Sequence, residues 1–133
     1  PCAGYVSPPS AAIIGVVGGI VCYLDVILMR NHSGLDDALD VMGVHGIGGI
    51  WGAIATGLFA EFNISGAGGL FTTGDWQLLV GNAIAVVITV IFCFVVSYVI
   101  IWVIGKVMRV RVTENEELIG QDLVEHGEPA YVM

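Results

Sequence analysis

The sequence predicts an all-α integral membrane protein with three full transmembrane helices and a polar cytoplasmic tail. Three observations carry that prediction. Hydrophobic residues make up 56% of the chain and charged residues only 12%, about half the charged share of a soluble domain. The mean hydropathy is +0.89. The charges are also segregated: between Ala11 and Gly105 the only Lys or Arg is Arg30. The formal net charge of −8 argues against a nucleic-acid surface. Cys2, Cys22 and Cys93 are an odd set with two members in apolar runs, so no disulfide framework is implied. The chain starts without Met, a basic n-region or a cleavage site, and reads as the C-terminal part of something longer.

The first span covers residues 11–29. Ser10, after Pro8-Pro9, is the expected N-cap. At about 1.5 Å per residue this run reaches roughly 28 Å, near the ~30 Å hydrocarbon thickness. Asp25 interrupts it. Its carboxylate either reaches the interface or a neighbouring helix, or forms a buried ion or proton site.

The second span covers residues 40–60. Asp36, Asp37 and Asp40 stand at or before its start, where carboxylates cap free N–H groups and favour the positive end of the helix dipole. Gly48-x-x-x-Gly52 and Ala53-x-x-x-Gly57 are spacings that allow close helix packing. Residues 61–75 read as a Gly-rich loop.

The third span covers residues 78–105, roughly 42 Å at helical rise, so it must tilt or overrun the bilayer. It is dense in Val, Ile and Phe, and Trp76 and Trp102 lie near its ends, where aromatic belts are expected. Residues 1–105 thus form the membrane region. Residues 106–133 form a tail too sparse in apolar residues to build a core. Arg30, Lys106, Arg109 and Arg111 all fall on one side of the three spans, which the positive-inside rule makes cytoplasmic.

His45 is the candidate functional residue. It sits near the start of an uncharged run, among five glycines at 43, 46, 48, 49 and 52. Its helical face includes Ala38, Val41, Met42, Gly48, Gly49 and Gly52. That face is almost bare of side chain towards the extracellular end. Either another helix packs against it and satisfies the imidazole, or a narrow apolar passage lies beside the ring. Such a passage suits a small neutral solute better than a cation, which is costly to desolvate. A neutral imidazole offers the solute both a donor and an acceptor.

The motif Asp37-x-x-Asp40-Val41-x-Gly43-Val44-His45-Gly46-x-x-Gly49-x-x-Gly52-x-x-x-Thr56-Gly57-x-Phe59-Ala60 resembles the signature of the ammonium transporters (the Amt/Mep/Rh family). Pro1-x-Ala3-Gly4-Tyr5-Val6 and Ile14-Gly15-Val16-Val17 resemble the stretch before it. Gly120-x-Asp122 and His126-Gly127-Glu128-x-Ala130-Tyr131 resemble the family's tail. The resemblance implies an eleven-span transporter built as inverted repeats, assembled as a homotrimer in the cell membrane with a cytoplasmic C-terminus.

The resemblance also implies residue roles. His45 would be the second of two pore histidines, with Val41 beside it in the conduction pore for ammonium/ammonia. Asp37, Asp40, Gly49 and Gly52 would support the pore helix. Gly120, Asp122, His126 and Glu128 would form the regulatory tail, and a PII-type nitrogen-signalling protein would bind the cytoplasmic face. The partner histidine would belong to the missing N-terminal half of the transporter. Asp25 and Gln121 depart from the pattern: the family often has a small residue at the first position and usually an apolar one at the second.

Two other readings compete. In one, the chain is a membrane segment that transports nothing and recruits or assembles with a partner. In the other, His45 is a haem ligand in a redox subunit. A bis-histidine haem needs a second intramembrane histidine, and His32 and His126 lie outside the spans. No enzyme activity and no cofactor are therefore expected.

Overall fold

The computed structural model describes residues 1–33, 37 and 39–131. Asp36 and Ala38, named above as a capping candidate and as part of the expected His45 face, lie outside the described residues. The described chain is helical, with no strand. Three helices are long and apolar enough to cross a membrane: Pro8–Ser33, Met42–Phe59 and Gln77–Val107.

Helix α1 (Pro8–Leu28) continues through a π-helical turn, Met29–Ser33. The N-cap is Ser7 rather than Ser10. Pro8 and Pro9 occupy the first two helical positions, where a missing N–H costs nothing because no intrahelical acceptor exists there. Ser10 lies inside the helix, and its hydroxyl accepts a hydrogen bond from that of Ser7 at 3.2 Å. The continuation to Ser33 carries Arg30 and His32 on the helix, beyond residue 29 where the sequence placed the end of the span.

The second membrane helix begins with π-helical turns, Met42–Ile47, and continues as α2 (Gly48–Phe59). α1 and α2 pack along a seam of small residues. A Cβ at Gly43 would lie 2.8 Å from Val26 Cγ2, and one at Gly48 would lie 3.0 Å from Cys22 Sγ. On the α1 side, a Cβ at Gly18 would meet Trp51 Cδ1 at 3.1 Å. The Trp51 indole N–H donates to the Ile14 carbonyl at 3.0 Å. This is the close approach that small-xxx-small spacing permits.

Residues 61–75 contain two four-residue helices, α3 (Phe62–Ser65) and α4 (Leu70–Thr73). Each ends on a left-handed glycine, Gly66 or Gly74, and neither is long enough to show a hydrophobic period. α4 is fastened to the end of α2: Phe71 meets Phe59 edge to face, with centroids 5.2 Å apart. The Thr72 hydroxyl and the Gly69 N–H both donate to the Ala60 carbonyl.

Helix α5 (Gln77–Val107) is 31 residues long and buries none of them. Its first part packs on α2. The Asn82 amide donates to the Ala53 carbonyl at 2.8 Å, and Gly57 leaves room for the Leu79 backbone.

The tail, considered by itself, holds a short helix α6 (Glu114–Ile119) and a π-helical turn Asp122–His126. α6 starts at a reciprocal cap. The Thr113 N–H donates to the Glu116 carboxylate at 2.6 Å, and the Glu116 N–H donates to the Thr113 hydroxyl at 3.4 Å. These bonds from Thr113, with help from Arg109, hold the Glu116 carboxyl down at about 2, against an ordinary value of 4.5. A lowered folded value means that the contribution to α6 is whole above pH 4.5 and is lost as pH falls through about 2. Far-ultraviolet circular dichroism or amide exchange of residues 114–119 should therefore show the helix melting in that interval. Glu116→Gln should abolish the transition.

Candidate functional site

The site is built from the loop before Met42 upward. Asp37 caps the second membrane helix: its carboxylate accepts the N–H groups of Met42 at 2.8 Å and Val41 at 2.9 Å. Those two bonds, the one from Met42 first, hold the Asp37 carboxyl below the usual range. Asp40 takes another role. Its carboxylate accepts the Arg30 Nε–H at 2.9 Å and pairs with Nη2 as well. A two-point guanidinium–carboxylate contact therefore joins the end of α1 to the start of the His45 turns. Asp40 has a positive φ of 53°, a conformation that Asp tolerates better than most residues.

Above this junction the seam closes. Asp25 Oδ2 is buried and has no hydrogen-bond partner among the described residues. It lies 3.2 Å from where a Gly43 Cβ would stand, so the hydrogen at Gly43 is what admits the carboxylate. The Cys22 thiol points at the Val44 carbonyl. Below, Val26, Met29, Arg30, Asp37, Asp40 and Gly43 enclose a cavity of about 20 Å³. That is room for one water and no more.

The opposite flank is open. Residues two apart on a helix do not share a face, so His45 points away from the seam that buries Gly43. His45 is exposed, as are Val41 and Met42, which are 50% and 53% accessible. The imidazole has no hydrogen-bond partner among the described residues. Gly49 has nothing within 4 Å of a would-be Cβ, so it extends this bare flank. Gly52 does not: a Cβ there would lie 2.5 Å from Pro1 Cδ. Next to it, the Cys2 thiol donates to the Gly52 carbonyl at 3.1 Å, and the Thr56 hydroxyl donates to the same oxygen at 2.8 Å. The first residues of the chain therefore pack against α2.

The tail candidates gather around Asp122. Its carboxylate accepts the Ala130 N–H at 2.8 Å. Bonds from Ala130 and then Leu123 hold its carboxyl below the usual range. Gly120 has φ +102° and ψ 132°, and a Cβ there would lie 2.7 Å from Asp122 Oδ1. His126 and Glu128 are exposed. Among the described residues, no group of three or more His, Cys, Asp or Glu side chains is placed to hold a metal ion.

Sequence reasoning missed the Arg30–Asp40 bridge and the seat of Pro1 and Cys2 on Gly52. The isolation of Arg30 within the apolar region was a usable signal for the first. Nothing local announced the second.

The sequence pattern of the Ammonium Transporter Family matches residues 1–131. An ammonium transporter of Bacillus subtilis is 48% identical over 98% of this chain and 33% of its own length. One from Aquifex aeolicus is 39% identical over 98% and 30%. One from Corynebacterium glutamicum is 35% identical over 98% and 29%. The chain spans about a third of the length of these relatives.

Proposed function

Because the chain belongs to the ammonium transporter family, we propose that it is the C-terminal part of an ammonium/ammonia channel-transporter and supplies one pore histidine and a regulatory tail. The supporting observation is the asymmetry of the His45 helix. One flank packs against α1, and the other presents exposed His45 and Val41 and Gly49, whose would-be Cβ meets nothing within 4 Å among the described residues. Conduction then runs along the open flank, which the preceding half of the transporter closes.

Ammonia has a lone pair and N–H groups, and a neutral imidazole can meet either. Asp37 and the Arg30–Asp40 bridge fix the cytoplasmic end of this helix. Gly52, with Pro1 and Cys2 against it, fixes the extracellular end. The large apolar side chains left exposed on α1 and α5 face lipid, the other half of the subunit, or neighbouring subunits of a homotrimer. The protein lies in the cell membrane with its C-terminus in the cytoplasm. Ammonium uptake by the assembled transporter, compared with that of its His45→Ala variant, tests this reading.

The tail regulates conduction through Gly120, Asp122, His126 and Glu128, with a PII-type protein as a further partner at the cytoplasmic face. Its sharpest probe is Gly120. With φ +102°, a side chain there is strained, at a cost of about 1–3 kcal/mol, and Gly120→Asp adds a charge beside the Asp122 carboxylate. In the assembled transporter this variant should lower uptake severalfold while the amount inserted stays normal. Wild-type uptake together with unchanged PII binding would show that the tail is only a solvated end.

A further inference from the structure

The base of α5 carries three cations in six residues: Lys106, Arg109 and Arg111. They follow directly on a helix with no buried residue, at its Trp102 end. The Lys106 ammonium lies 3.6 Å over the Trp102 ring, the arrangement of a long cation lifted towards a membrane–water interface. The two arginines pair with carboxylates of α6. Arg109 Nη2 lies 2.9 Å and 3.0 Å from the two carboxylate oxygens of Glu116. Arg111 Nη2 lies 3.7 Å from Glu117 Oε1. Both arginine side chains are nevertheless mostly open, 61% and 81% accessible.

We propose that Lys106, Arg109 and Arg111 form a contact for anionic phospholipid headgroups, and that Glu116 and Glu117 of α6 are an internal competitor for its two arginines. Four observations together carry this. The cations stand where an apolar helix ends, and an aromatic and a lysine mark the interface. The arginine partners are two carboxylates on one short helix, Glu116 half-buried and Glu117 exposed. The cap that builds this helix uses the same Glu116 carboxylate that holds Arg109. Exposed ion pairs are weak, and a basic side chain at an anionic leaflet gains a comparable amount. Leaflet composition therefore decides which anion the arginines face, and α6 loses the Arg109 contact when the lipid wins. This inference needs α5 to cross a membrane and does not depend on what the assembled protein transports.

The test uses the full chain in nanodiscs of phosphatidylcholine, with and without phosphatidylglycerol. It reads phosphatidylglycerol binding and amide exchange of residues 113–119. In the wild type, phosphatidylglycerol should speed exchange in α6. Glu116→Gln with Glu117→Gln should tighten phosphatidylglycerol binding by about fivefold for each released arginine. The Gln at 116 preserves the cap, because its side chain still accepts the Thr113 N–H. Arg109→Gln with Arg111→Gln should erase the preference for phosphatidylglycerol over phosphatidylcholine. Equal phosphatidylglycerol affinity in the wild type and the double-Gln carboxylate variant would overturn the proposal. So would an equal opening of α6 by inorganic phosphate in phosphatidylcholine discs, since that would make the site one for small anions.

Discussion

His45→Ala in the assembled transporter should change ammonium conduction, or the preference for ammonium over methylammonium, by about tenfold or more without loss of membrane insertion. Tenfold corresponds to about 1.4 kcal/mol, the worth of roughly one hydrogen bond. The alanine removes the one polar side chain on an otherwise apolar and glycine-lined flank. Insertion should survive because the seam that fixes this helix is made by other residues. It is made by Gly43, Gly48 and Trp51 against Val26, Cys22 and Gly18. Uptake of labelled methylammonium and growth on limiting ammonium read the effect, and the amount of protein in the membrane fraction reads insertion. Unchanged transport of both solutes would remove His45 from the pore.

The three spans were legible because length and apolarity suffice to define them, and their observed bounds depart from expectation for local reasons. Pro8-Pro9 pulled the start of α1 to the cap at Ser7. The π-helical turns at Met29–Ser33 and Met42–Ile47 were not legible, because a change in hydrogen-bond register leaves the apolar pattern intact. The glycines around the histidine were visible as a group, but not which of them meets a neighbour. Gly43, Gly48 and Gly52 are filled and Gly49 is open, a distinction set by which residues of α1 and the N-terminal segment lie opposite. Asp37 and Asp40 looked equivalent in sequence. Their separation into a helix cap and a bridge to Arg30 depends on how the chain turns between α1 and the His45 helix. Asp25 left both of its readings open, and the structure places one of its oxygens in the seam against Gly43.

The most direct test of the central claim is ammonium uptake in cells that lack other ammonium transporters. The 133-residue chain is expressed alone and then together with the preceding spans on a second polypeptide. The physical argument is one of surface. Three spans cannot enclose a passage along the His45 flank, and that flank is open in this chain. On the other flank, the cavity between α1 and the start of this helix holds about 20 Å³. The chain alone should insert and support no uptake above background. With the preceding spans supplied, ammonium-dependent growth should appear and should depend on His45. Uptake by the chain alone at the rate of a complete transporter, or no uptake when both segments are present and assembled, would contradict the account.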